Sequence, residues 1–136
     1  MAKEKDRKKI LVVDDEPDIT YTLKATLDAS GYFDIYTFND PNHVLSNFRP
    51  NSYDLVILDV RMPQMNGFEL LNEIKKIDEN VKVCFLTAIS ELTEYKTTIQ
   101  KIYPSLDENH IIRKPIDNTE LVRQLNQILN LPSETG

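Results

Sequence analysis

The chain has 136 residues, of which 40% are hydrophobic, enough for one compact domain with its own core. A formal net charge of −6, from 22 acidic and 16 basic residues, argues against a nucleic-acid surface, because phosphate backbones are bound by clustered Lys and Arg. No window approaches the roughly 18 apolar residues of a membrane span, and the single cysteine, Cys84, can close no internal disulfide, so the expectation is a soluble cytoplasmic protein without membrane contact.

Positive charge is concentrated at the start, in Lys3, Lys5, Arg7, Lys8 and Lys9, but Glu4 and Asp6 interleave it. The apolar run that follows, Ile10 to Val13, is too short for a signal peptide, so residues 1–8 read as a solvated basic tail. A single domain is expected over residues 9–130. Residues 131–136 read as a second tail, where Pro132 and Ser133 end the helical pattern.

Five short β-branched runs punctuate the domain: residues 9–13, 33–37, 55–58, 81–86 and 111–112. The first and third are continuously apolar, as a strand covered by helices on both faces would be. The first helix is expected after Pro17, with Ile19, Leu23 and Leu27 on one face and Gly31 just past its end. Asp40 and Pro41 read as a cap and a first-turn proline for a short helix through Val44, Leu45 and Phe48. A third helix should begin near Asn66 and carry Leu70, Ile74 and Ile77. Pro104 should end a fourth, leaving residues 103–109 as a surface loop. The last should start at Asp117, whose spacing to Glu120 suits a capping box, and carry Leu121, Leu125, Ile128 and Leu129. Strict alternation of strand and helix implies a doubly wound α/β fold, a five-stranded parallel sheet with helices on both faces.

In such sheets ligands bind beyond the carboxyl ends of the strands, where the strand order reverses. Those ends carry Asp14 and Asp15, Asp59, Thr87 and Lys114. Three converging carboxylates would repel one another unless a cation neutralised them, and a hard ion such as Mg²⁺ suits a sparse acidic cluster. With no cysteine pair, and with His43 and His110 far from these positions, zinc has no support. A carboxylate can also attack phosphorus if cations offset the charge that builds up. Lys114 offers an ammonium and Thr87 a hydroxyl for phosphoryl oxygens. Singly, each residue has a plainer reading. Asp14 and Asp15 would complement a helix N-terminus, worth ~1 kcal/mol or less, Asp59 to Pro63 would be a turn, and Thr87 or Lys114 a solvated surface residue. Only their joint placement points to chemistry.

Four segments together, Ile10-Leu-Val-Val-Asp-Asp-Glu-Pro17, Asp54-Leu-Val-Ile-Leu-Asp-Val-Arg-Met-Pro-Gln-Met-Asn-Gly-Phe-Glu-Leu70, Phe85-Leu-Thr-Ala88 and Arg113-Lys-Pro-Ile116, resemble the receiver domains of two-component response regulators. The resemblance runs from Lys9 to Leu129. It implies a flavodoxin-like (CheY-like) sheet of order 2-1-3-4-5, with Asp59 as phosphoacceptor. Asp15, Asp59 and the backbone carbonyl of Arg61 would be ligands of Mg²⁺, and Asp14 would act through a metal-bound water. Thr87 would be the switch hydroxyl, and Lys114 would precede a cis peptide bond to Pro115. It further implies a signalling domain and not a turnover enzyme. The phosphoryl donor would be a histidine kinase or phosphotransfer protein, and the output a downstream target protein, with room for a phosphorylation-dependent dimer.

Two departures from the family pattern stand out. Ile111 occupies a position that is usually aromatic, and the stretch from Thr87 to Lys114 is long and lacks the common Gly-Ala pair. Both point to an unusual coupling of the switch to its partners. Three rivals compete with this reading. A haloacid-dehalogenase-type phosphatase would place its nucleophile after the first strand in an Asp-x-Asp pattern, where this chain has Asp14-Asp15-Glu16. An FMN binder would want a glycine- and hydroxyl-rich loop there instead of an anionic one. A receiver-like interaction module that works without phosphorylation would need a broken acidic pocket.

Overall fold

A computed structural model describes residues 7–102, 104 and 110–130. Residues 1–6 and 131–136 of the expected tails, and most of the expected loop over 103–109, lie outside the described residues. The element order is β1 (Lys8–Val13), α1 (Pro17–Ser30), β2 (Phe33–Phe38), α2 (Pro41–Asn47), β3 (Leu55–Asp59), α3 (Gly67–Ile77), β4 (Lys82–Ala88), α4 (Ile89–Ile102), β5 (Ile111–Lys114) and α5 (Asn118–Ile128). The five strands form one parallel sheet in the order β2-β1-β3-β4-β5. The expected fold class and strand order therefore hold. No helix among the described residues is long and apolar enough to cross a membrane.

Period-two alternation divides the core into two layers. Ile10 and Val12 of β1, Leu55 and Ile57 of β3, and Cys84 and Leu86 of β4 pack with Leu23 and Leu27 of α1 and Leu121 and Leu125 of α5. Their neighbours Leu11, Val13, Val56, Leu58, Val83 and Phe85 pack against Val44 of α2, Leu70 and Ile74 of α3 and Ile99 of α4. Covered on both sides, β3 is buried throughout, which is why its sequence carries no polar residue before Asp59. Cys84 lies fully buried in this packing with its thiol pushed up by desolvation, which suits a core residue.

Local signals act largely as the sequence suggests. Gly31 ends α1 at φ 82°, a left-handed conformation open to glycine, and the Asp40 carboxylate accepts from the N–H of Asn42 to start α2. Only half of the expected capping box forms at α5. Asp117 Oδ1 accepts from the N–H of Glu120 at 2.9 Å, but the Glu120 carboxylate turns to Arg123 instead. The reciprocal box occurs at α3, where Asn66 and Glu69 satisfy each other's backbone N–H groups at 2.9 and 3.0 Å.

The strands also run further than their apolar runs. Lys8 joins β1 through an N–H donated to the carbonyl of Tyr32, taking one residue from the expected tail. Asp59 and Lys114 are the last residues of β3 and β5, and Thr87 lies within β4. A ladder needs only backbone groups, so it continues where side chains have turned polar.

The turn after β3 is held by close backbone approach. Gly67 donates its N–H to the carbonyl of Val60 at 2.9 Å, and Val60 donates to Leu86 at 3.1 Å. A Cβ on Gly67 would stand 2.5 Å from the Asp59 carbonyl oxygen and 3.1 Å from Cα of Val60. Both are backbone atoms that cannot swing aside. Gly67→Ala is therefore expected to cost about 1–3 kcal/mol in urea unfolding, and an unchanged midpoint would show that the turn yields freely.

Candidate functional site

The strand order β2-β1-β3-β4-β5 reverses between β1 and β3, the junction at which doubly wound sheets bind ligands beyond the carboxyl edge. Val13 pairs with Leu58 across this junction, so Asp14 and Asp59 leave the two strands side by side. Asp14 is fully buried, Asp59 is 2% exposed and Asp15 is half-buried. One carboxylate oxygen from each lies within 4.8 Å of the others. The adjacent Asp14 and Asp15 reach the same place because the backbone leaves the pleat after Val13 and turns into α1.

Lys114, at the end of the edge strand β5, reaches back into this cluster. Its Nζ stands 3.1 Å from Asp14 Oδ2, 3.5 Å from Asp59 Oδ1 and 3.8 Å from Glu16 Oε1. The next peptide bond, to Pro115, is cis. Asp14 is fixed from its other side. Its Oδ1 accepts from the N–H of Glu16 at 2.9 Å, and its carbonyl accepts from Asn39 Nδ2 at 2.8 Å. The same amide donates to Thr20 Oγ1 at 3.0 Å, tying the start of α1 to the end of β2.

Electrostatics follow from this crowding. Burial raises the Asp59 carboxyl most, and the charges of Asp14 and Asp15 add to it. Lys114 and the backbone N–H of Arg61 work in the opposite direction, leaving it pushed from 3.8 up to about 7. Asp14 is also raised, by burial first and by Asp15 last, against the Glu16 N–H and Lys114. For Lys114, burial acts to lower the pKa, but Asp14, Asp59 and Glu16 outweigh it and the ammonium is stabilised. One ammonium thus faces more negative charge than it neutralises. An all-oxygen donor set carrying excess negative charge fits a hard divalent cation, and it lacks the nitrogen or sulfur ligands that zinc prefers.

Thr87, also fully buried, is placed differently. Its hydroxyl lies 3.3 Å from Glu91 Oε2 and 3.4 Å from the carbonyl of Ala88. Those are its partners among the described residues. The Arg61 side chain is largely exposed, with Nη1 3.8 Å from Glu91 Oε1. Of the residues singled out from sequence, Asp14, Asp15, Asp59 and Lys114 are brought together, while Thr87 and the Arg61 guanidinium meet at Glu91.

Glu16, Asn39, Gly67 and Glu91 were not legible as parts of the site. A signal existed for Glu91, which lies three residues after Ala88, the spacing of a capping box at the start of α4. Nothing in the local sequence marks Asn39, whose role depends on β2 lying beside β1.

Residues 10–126 match the family model described as the response regulator receiver domain. The transcriptional regulatory protein CpxR homolog of Haemophilus influenzae is 36% identical over 121 residues, 89% of this chain and 50% of that protein. Sporulation initiation phosphotransferase F of Bacillus subtilis is 39% identical over 89 residues, 62% of this chain and 67% of that protein. The chain spans about half the length of the first curated relatives it matches. Among solved structures, the non-phosphorylated HemR receiver domain of Leptospira biflexa superposes with a TM-score of 0.76 at 28% identity, covering 93% of this chain and 98% of that one.

The raised Asp59 pKa has a consequence for stability. The native state holds its proton more tightly than the unfolded chain does, so the stability this contributes is full below pH 3.8 and is lost as pH rises through about 7. Without metal, the unfolding midpoint is expected to fall between about pH 5 and pH 8 relative to Asp59→Asn. Millimolar Mg²⁺ should reverse the loss in the unsubstituted protein only. Parallel pH profiles for the two proteins would refute this account of the cluster.

Proposed function

Because the chain belongs to the response regulator receiver domain family, we propose that it accepts a phosphoryl group on Asp59 from a phosphohistidine of a histidine kinase or phosphotransfer protein. The observation that carries the proposal is the gathering of one carboxylate oxygen each from Asp14, Asp15 and Asp59 within 4.8 Å of one another, with the Lys114 ammonium against Asp14 and Asp59. An anionic nucleophile attacks an anionic phosphorus centre only where positive charge is fixed in advance.

In the reaction, an Asp59 oxygen attacks phosphorus in line. The P–N bond to the donor imidazole breaks, its electron pair returns to nitrogen, and the product is an aspartyl phosphate. Asp15, Asp59 and the backbone carbonyl of Arg61, supported by Asp14, would hold a Mg²⁺ ion that supplies the charge needed to keep Asp59 ionised near neutral pH and to neutralise phosphoryl oxygens. Lys114 is poised to follow the transferred group, since its ammonium already lies 3.5 Å from Asp59 Oδ1. The Thr87 hydroxyl donates to a phosphoryl oxygen once it leaves its present partners. Hydrolysis of the acyl phosphate restores the carboxylate.

Phosphorylation then biases a two-state surface built from α4, β5 and α5, which gains or loses affinity for a target protein or a second copy of the domain. On this reading the domain is a cytoplasmic signalling module that promotes its own phosphotransfer and dephosphorylation. It is not a turnover enzyme, and neither nucleic acid nor membrane binds through it.

Incubation with Mg²⁺ and acetyl phosphate, followed by intact-mass measurement, is expected to show one added phosphoryl group. Asp59→Asn and excess chelator should each abolish the adduct, and Lys114→Ala should slow its formation by about a hundredfold. An adduct that persists in Asp59→Asn would sink the assignment of the acceptor. Failure of the unsubstituted protein to form one would favour an interaction module that works without phosphorylation.

A further inference from the structure

Ile111 offers no aromatic ring to turn inward behind a moving Thr87. It sits half-buried among the residues packed under α3 and α4, and its carbonyl is held by Gln124 Nε2 at 3.0 Å. The Thr87 hydroxyl already has a partner carried on a helix. Glu91 lies in the first turn of α4, and the two oxygens of its carboxylate are divided between the end of β4 and Arg61. Oε2 lies 3.3 Å from Thr87 Oγ1 and accepts from the N–H of Ala88, also at 3.3 Å, while Oε1 faces Arg61 Nη1 at 3.8 Å. The Glu91 side chain is only 20% exposed, so a partner lost here is not freely replaced by water.

The plain reading of Glu91 is a helix cap, since its bond to the N–H of Ala88 is the backward half of a capping box at α4. The bond to Thr87 goes beyond capping. A hydroxyl has one proton, and while Thr87 donates it to Glu91 it has none for a phosphoryl oxygen. Glu91 and a phosphoryl group on Asp59 are therefore competing acceptors. We infer that Glu91 is the positioning residue that couples the site to α4: it holds the Thr87 hydroxyl in the unphosphorylated state, and loss of that hydroxyl to the phosphoryl group releases Glu91 and loosens the first turn of α4.

This inference rests on the acceptor role of Asp59 proposed above. It assigns the route of the signal to residues of β4 and α4, where the unusual stretch after Thr87 begins, and it gives Arg61 a role as the cation that holds the free oxygen of Glu91 toward the site.

The test is a double-substitution cycle with the full chain, measuring the rate of phosphoryl uptake from acetyl phosphate with Mg²⁺. Glu91→Ala is expected to raise the rate by about tenfold, the factor associated with freeing a hydrogen bond to a charged group, and to leave it unchanged in a Thr87→Ala background. Glu91→Gln, which keeps an acceptor for Ala88 but gives up the charge, should fall between. The amide proton of Ala88, followed by NMR, should shift on phosphorylation of the unsubstituted protein and should already hold the shifted value in unphosphorylated Glu91→Ala. Capping alone would move this resonance without making the rate effect depend on Thr87. Equal rate effects of Glu91→Ala in both backgrounds, or no rate effect in either, would overturn the coupling role while leaving Asp59 as acceptor. Absence of uptake by the unsubstituted protein would overturn both.

Discussion

Lys114 is the constraint on which the site depends. Two carboxylates that are 0% and 2% exposed, with a third beside them, could not stay charged in a folded core without a cation of the chain's own. The ammonium at 3.1 Å from Asp14 and 3.5 Å from Asp59 supplies one unit of that charge. It falls short of neutralising the cluster, and the shortfall appears as the high pKa of Asp59. The same imbalance that burdens the fold makes the site receptive to a hard cation. Site and stability are opposed through one set of residues, as is common where function requires charge to be buried.

The sheet makes this meeting unavoidable. Because β3 lies between β1 and β4 and is buried along its whole length, Asp59 emerges beneath the end of a fully covered strand. The turn that follows is drawn tight by Gly67 against the carbonyl of Asp59, and the Asn66–Glu69 box fixes the start of α3 directly behind it. Asp59 is thus flanked by close backbone contacts on the side of the turn. The side chains of Thr87 and Arg61, in contrast, share one glutamate, Glu91, with the Ala88 carbonyl as a second partner of Thr87.

That difference separates a rigid half of the site from an adjustable one. On the rigid side, Asn39 and the N–H of Glu16 hold Asp14 from two directions. On the adjustable side, the bonds at Glu91 are long for hydrogen bonds and shared among three partners. A domain that answers to phosphorylation needs both: a fixed place for the reacting atoms and a weakly held group whose preference can change.

The sequence by itself determined a good deal. The alternation of apolar strands with helical stripes, the caps at Asp40 and Asp117 and the stop at Gly31 are local effects, because each depends on residues within one turn or one pleat. The acidic pair, Asp59 and Lys114 could be placed at strand ends for the same reason. Strand order came from family resemblance, since periodicity says which face of a strand is buried but not which strands are neighbours. Only the tertiary structure decided that Lys114 bridges Asp14 and Asp59 from the far edge of the sheet, that Asn39 anchors Asp14, and that the Thr87 hydroxyl is turned toward Glu91. Each of these depends on the position of one strand or helix relative to another, a relation set by the packing of the whole core and carried by no short stretch of chain.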